Sequence, residues 1–81
     1  MNRKAIFEDL YRKYQGMVKQ LCLGFSKGEE AAANDLSQDV FMNVWNALSD
    51  FRFKSSYKTW IYRITINTCL MQIRKDKKMT V

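Results

Sequence analysis

Aromatic and cationic side chains alternate closely in one short segment, "FRFKSSYKTWIYR" at residues 51–63. Aromatic rings stack on unpaired bases while Lys and Arg side chains follow phosphates, so this composition is typical of a surface that binds single-stranded nucleic acid. We interpret Phe51 and Trp60 as core residues. The better candidates for direct contact are Tyr57, Lys58 and Arg63.

A second candidate surface is acidic and lies in "NDLSQDVFMNVW", residues 34–45. On a helix, the apolar residues Leu36, Val40 and Val44 would face the core. Side chains at spacings of three and four would then form one outward face without lysine, made of Asp35, Gln38, Asp39 and Met42. Such a face suits an Arg/Lys-rich helix of another protein, with Met42 and Trp45 as apolar anchors. An ordinary solvated face is the commoner explanation of the composition alone.

The residue types argue against an enzyme and against a metal or cofactor site. The chain has no histidine, and its two cysteines, Cys22 and Cys69, are far apart and outside any CxxC pair. A structural zinc site needs about four such ligands. We therefore expect no metal, no cofactor and no catalytic residues, and we interpret both cysteines as small, reduced core residues.

The charge is unevenly distributed along these 81 residues, which carry a net charge of +6. Residues 1–28 contain six Lys/Arg and two acids, residues 29–50 contain five acids and no base, and residues 51–81 contain eight bases and one acid. The two basic segments favour a polyanionic partner, and the acidic segment between them favours a second, different partner. With no signal peptide and no apolar run of membrane-spanning length, we expect a cytoplasmic protein that does not bind a membrane.

Hydrophobic spacing predicts a single all-α domain over residues 1–81. Helices are expected at about residues 4–25, 29–48 and 56–75, with a loop at 49–56 and with Ser55 or Ser56 capping the third helix. The segment "YRITINT", residues 62–68, alternates like a strand, but no other segment could pair with it. As a helix it is apolar around most of its circumference, so the part outside the core should face a partner.

These segments together resemble region 2 of bacterial sigma factors of the extracytoplasmic-function (ECF) group. The resemblance rests on "NDLSQDVFMNVWNAL" followed by "FRFKSSYKTWIYRITINTCLMQIRK" and covers about residues 5–78. It implies a small three-helix bundle, sigma factor region 2-like, and a role in promoter recognition during transcription initiation. It also implies that the acidic helix docks on the β′ clamp helices of the RNA polymerase core through Asp35, Gln38 and Asp39, with Met42 and Trp45 supporting.

The same resemblance implies that the loop and third helix bind the melted −10 element on the non-template strand of promoter DNA. A base leaves the stack and enters a pocket, where the amide of Asn67 can read its edge. Arg74, Lys75, Lys77 and Lys78 would hold upstream phosphates. An anti-sigma factor is a further implied partner. The full DNA-binding set is Lys54, Ser55, Tyr57, Lys58, Thr59, Tyr62, Arg63, Asn67, Arg74 and Lys75.

The chain departs from the family pattern at three positions and in length. Met71 stands where many relatives have an acidic or amide residue, and Phe53 and Lys54 stand where many have small or acidic loop residues. These differences affect which base is preferred more than how DNA binds. Because such sigma factors continue into a second DNA-binding domain, which this chain lacks, we expect an isolated region 2 domain.

Two alternatives remain at this point. The third helix could lie in the major groove of double-stranded DNA, as in a helix-turn-helix protein. The domain could also be a protein-interaction module whose basic residues are merely solvated. An internal hydrogen bond of Asn67 within the bundle is likewise an alternative to a role in base recognition.

Overall fold

The first helix, α1, runs from Arg3 to Phe25 and is capped by the preceding Asn2, whose side-chain Oδ1 accepts a hydrogen bond from the Lys4 N–H at 2.9 Å. The second helix, α2, spans Glu30–Ala47 and continues into a 3₁₀ turn at Leu48–Asp50. The third, α3, spans Tyr57–Met79. The computed structural model describes residues 2–79, with side chains described for residues 2–75.

These elements confirm the all-α three-helix bundle, and residues 2–79 contain no strand. The third helix continues past its expected end near residue 75 to Met79, the last described residue, since residues 76–79 include no Pro or Gly to stop a helix. Lys77 and Lys78, expected to hold phosphates, have side chains outside the described residues. No helix in the described part of the chain combines the length and apolarity needed to cross a membrane.

The turn between α1 and α2 reverses the chain through two consecutive left-handed residues. Lys27 has φ 55° and Gly28 has φ 83°. The N–H of Gly28 donates to the Leu23 carbonyl at 2.9 Å, which satisfies one of the free carbonyls at the end of α1. This compact turn places α1 and α2 side by side.

The core consists mainly of small and medium side chains contributed by all three helices. Its largest fully buried side chains are Val18, Cys22, Val40, Val44, Ile61, Thr65 and Cys69. As expected, both cysteines are buried free thiols; their Sγ atoms lie 3.9 Å apart between α1 and α3. Burial raises the pKa of the Cys22 thiol to about 12, so this side chain is neutral at physiological pH.

The strand-like segment is helical, and its burial follows the helical period. Ile61, Thr65 and Cys69 face the core at intervals of four residues, whereas Tyr62 is exposed. The fully buried Thr65 hydroxyl donates to the Ile61 carbonyl at 2.7 Å, so this hydroxyl stays paired despite its burial. The outward side of α3 carries apolar side chains, as expected: Tyr62, Leu70 and Met71 are 47%, 39% and 68% exposed.

Ser56 caps the start of α3. Its Oγ accepts a hydrogen bond from the Thr59 N–H at 3.2 Å and lies 3.1 Å from the Thr59 hydroxyl. The neighbouring Ser55 makes no side-chain hydrogen bond with the described residues. Of the two serines expected as caps, the structure therefore selects Ser56.

Replacing Ser56 by alanine should lower the free energy of unfolding by about 1 kcal/mol, because an N–H at the helix start loses its acceptor. Urea unfolding followed by circular dichroism measures this loss. The matched control is Ser55→Ala, which should change stability by less than about 0.5 kcal/mol. Equal effects of the two substitutions would contradict the assignment of the cap.

Candidate nucleic-acid and partner interfaces

The acidic residues of α2 lie on one exposed face, as their spacing predicts. Asp35, Gln38, Asp39 and Met42 are all exposed, Met42 by 63%. Among the described residues the only ion pair joins Lys13 to Asp9 on α1, at 3.2 Å. The carboxylates of Asp35 and Asp39 thus have no cationic partner in the described part of the chain and are available to a basic surface.

Trp45, expected to support this face, is held by α1. Its ring meets the Phe7 ring edge-on with centroids 5.3 Å apart, and the Arg3 guanidinium lies 4.2 Å from the ring centre. Arg3 Nη2 also donates to the Trp45 backbone carbonyl. About 36% of Trp45 stays exposed, so the residue is both part of the α1–α2 packing and part of the surface.

An apolar groove of about 460 Å³ adjoins the acidic face between α1 and α2. Its α1 side contains Phe7 and Tyr11, and Tyr11 is 45% exposed. Sequence analysis did not assign these two residues to the partner surface. Their spacing of four on the face that packs against α2 is the signal that could have identified them.

The loop after α2 is organised by a cluster of four aromatic rings. The Phe51 ring stacks on Tyr57 with centroids 4.4 Å apart and lies 4.7 Å from Phe53 and 4.9 Å from Trp60. Phe51 and Trp60 are partly buried, in keeping with their interpretation as packing residues. Tyr57, expected to contact DNA, is also partly buried, and Phe51 covers one face of its ring.

The outward side of α3 brings most of the predicted DNA-binding residues onto one surface. Arg63 and Asn67 are one helical turn apart and exposed, and Tyr62, which precedes Arg63 in the sequence, is exposed as well. Among the other predicted residues, Ser55 is partly buried, and the exposed ones are Lys54, Lys58, Thr59, Arg74 and Lys75. This surface has no acidic side chain between residues 51 and 75.

Asn67 makes no side-chain hydrogen bond with the described residues, whereas its neighbour Thr68 makes two. The Thr68 hydroxyl accepts from Asn43 Nδ2 at 2.9 Å and donates to the Ile64 carbonyl at 2.7 Å. The polar link between α2 and α3 therefore runs through Thr68. Within the described part of the chain, the internal hydrogen bond considered for Asn67 is therefore absent, and its amide is available for a ligand.

The two candidate surfaces meet at an open groove of about 600 Å³ between α2 and α3. Asp39 and Met42 line one side, and Met71, Arg74 and Lys75 line the other. In the described part of the chain, including this groove, no three Cys, Asp or Glu side chains lie close enough to share a metal ion. The exposed features that remain are charge, amides and aromatic rings, which suit binding to macromolecules.

Comparison with known proteins identifies the family. The model of Sigma-70 region 2 matches residues 10–79. The chain belongs to the sigma-70 region 2 family. Its relatives also include members of the ECF group, which confirms that it is an ECF sigma factor region 2 domain. No solved structure matches the chain.

Three curated relatives illustrate how far this similarity extends. RNA polymerase sigma factor YlaC of Bacillus subtilis is 36% identical over 78 residues, which cover 96% of this chain and 44% of the relative. RNA polymerase sigma-H factor of Pseudomonas aeruginosa is 38% identical over 65 residues, covering 80% and 33%. ECF RNA polymerase sigma factor SigW of Bacillus subtilis is 31% identical over 71 residues, covering 88% and 37%. The region 2 chain thus spans less than half the length of these relatives.

Truncation of Phe51 to alanine should destabilise the domain by about 2 kcal/mol or more, because one other ring of the loop and two rings of α3 contact this one. Urea unfolding gives the stability, and near-ultraviolet circular dichroism reports the loss of ordered aromatic packing. Arg52→Ala, the exposed neighbour, is the matched control and should cost less than about 0.5 kcal/mol. An unaltered near-ultraviolet spectrum in Phe51→Ala would show that the rings do not form a fixed cluster.

Proposed function

We propose that this region 2 domain is the promoter-recognition domain of an RNA polymerase sigma factor. It docks on the β′ clamp helices of the polymerase core through α2, and it holds the melted −10 element of the non-template strand through the 49–56 loop and α3. The observation that carries the proposal is the pair of exposed surfaces, one acidic and without base, the other basic and without acid, in a chain of this family.

Docking is proposed to use charge complementarity around an apolar contact. Asp35 and Asp39 lie one helical turn apart and have no cationic partner among the described residues, so a basic helix can approach both. Met42 offers an exposed side chain for the partner to cover, and Trp45 is already oriented by Phe7 and Arg3. Charges at the rim select the partner and steer its approach, while the apolar contact slows dissociation.

Charge reversal at Asp35 should abolish binding to the polymerase core while leaving the domain folded, because arginine would repel the basic partner surface. Fluorescence anisotropy with purified core polymerase measures the affinity, and circular dichroism checks the fold. The matched control, Glu8→Arg, reverses an exposed acid on α1 and should bind within about twofold of the native domain, since rim charges away from the contact contribute little. Undiminished binding by Asp35→Arg would rule out docking through this face.

DNA binding is proposed to centre on Asn67 and the residues one turn before it. The free amide has both donors and acceptors for the edge of an unstacked base, and Lys58 and Arg63, which are exposed on the same helix, can neutralise the adjoining phosphates. Arg74 and Lys75, near the end of the described side chains, would hold duplex phosphates without reading sequence. The domain performs no covalent chemistry: binding of unpaired bases offsets the lost pairing and stacking.

Asn67→Ala should weaken binding to the preferred single-stranded oligonucleotide by about 5- to 100-fold and flatten sequence preference, because an amide contact to a base edge contributes about 1–3 kcal/mol of discrimination. A panel of short single-stranded DNAs of varied sequence, titrated by anisotropy, measures both quantities. Asn34→Ala, the same change at an exposed position of α2, is the control and should bind as the native domain does.

The same titrations decide between the proposal and its alternatives. Tighter binding to duplex than to the matching single strand would indicate a helix-turn-helix-like mode. DNA binding that does not fall steeply with salt concentration would indicate a protein-interaction module, because phosphate contacts release counterions. If the native domain shows no sequence preference and Asn67→Ala does not change its binding, the proposed recognition surface is wrong.

A further inference from the structure

Phe53 adopts a backbone conformation that is unfavourable for its residue type. Its φ of 59° lies in the left-handed region, where the Cβ of a bulky residue is crowded and glycine is the usual occupant. The other non-glycine residue with positive φ in the described chain is Lys27, which precedes Gly28 at the end of α1. Helix termination accounts for Lys27 but not for Phe53, which lies in the loop before α3.

Burial of the side chain does not offset the backbone strain at Phe53. The ring is 76% exposed, the largest exposed fraction among the big apolar side chains that the structure describes. An exposed phenyl group gains little hydrophobic stabilisation, and the strained backbone adds a cost. Folding stability therefore does not explain a phenylalanine here, and a ligand that covers the ring would.

The ring is nevertheless held in place on one side. Its centroid is 4.7 Å from that of Phe51, with planes inclined at 64°, and 6.1 Å from that of Tyr57. Phe51 in turn stacks on Tyr57 at the first turn of α3. The aromatic cluster thus holds the Phe53 ring in place and leaves its outer surface accessible. Because the ring is already ordered, less entropy is lost when a ligand stacks on it.

The charges around Phe53 favour an anionic ligand, and its exposed ring favours one with planar groups. Arg52 and Lys54 flank Phe53 directly and are exposed, and Lys58 follows one turn into α3. No acid occurs from residue 51 to residue 75. Single-stranded DNA combines the flat π-faces that a phenyl ring binds with the phosphates that such cations attract.

We propose that Phe53 is a stacking platform for one unpaired base of single-stranded DNA, with Arg52 and Lys54 placed for the adjoining phosphates. This inference rests on the proposed function. It adds a second DNA contact, in the loop before α3 and separate from Asn67, at a position outside the predicted DNA-binding set. Because stacking depends on the overlap area of the base rather than on its edge, a purine at the stacked position should be favoured over a pyrimidine.

The decisive variant is Phe53→Gly, which removes the ring and also suits the left-handed backbone. Its thermal stability should equal or exceed that of the native domain, while its affinity for a single-stranded oligonucleotide should fall about 5- to 100-fold, as expected for one lost base stack. Phe53→Tyr should retain affinity, and Phe53→Leu, apolar without a π-face, should lose it. Lys27→Gly is the control for backbone relief and should leave base preference unchanged.

Scanning an abasic site along the oligonucleotide then locates the stacked base. One position should weaken native binding when its base is removed but have little further effect in Phe53→Gly, since the two changes remove the same contact. Native-like affinity of Phe53→Gly or Phe53→Leu, together with weakened binding by Asn67→Ala, would overturn the Phe53 assignment and leave the proposed function standing. If the native domain fails to bind single-stranded DNA, the Phe53 assignment and the proposed function are both wrong.

Discussion

The close contact of α3 with both α1 and α2 is the interaction on which the rest of the structure depends. It is made by a row of small and medium-sized side chains on α3, each with no exposed surface: Ile61, Thr65 and Cys69. Cys69 faces Cys22 of α1 directly, and Thr65 satisfies its hydroxyl within its own helix. A domain of 81 residues has one small core, so its stability rests on dense packing of these few groups.

Because that row is narrow, most of α3 is left outside the core, and the same is true of the acidic side of α2. The bundle therefore presents two rigid helical faces with different chemistry. The loop between them is ordered from both ends, by the Ser56 cap and by the rings gathered around Phe51. Groups placed on such a support keep their geometry before a ligand arrives, which reduces the entropy lost on binding.

Helical periodicity predicted the three helices, the buried row of α2 and the exposed positions of Asp35, Asp39 and Asn67, because burial on a helix follows from local spacing. It could not predict contacts that depend on how helices cross. Arg3 reaches the Trp45 carbonyl across 42 residues, and the two thiols meet across 47. The left-handed conformation of Phe53 was equally out of reach, since loop geometry depends on what the flanking elements enclose and Phe is not a residue that signals positive φ.

The separation of charge has a consequence for how the molecule moves before any contact forms. Residues 29–50 carry five acids and no base, while residues 51–75 carry six bases and no acid. Opposite charges fixed on different parts of one rigid body create a permanent electric dipole. In the field of a polyanion such a molecule rotates as it diffuses, so that its basic surface leads and its acidic surface trails. Collisions then begin in a productive orientation more often than chance allows, and this advantage fades as salt shortens the range of the field.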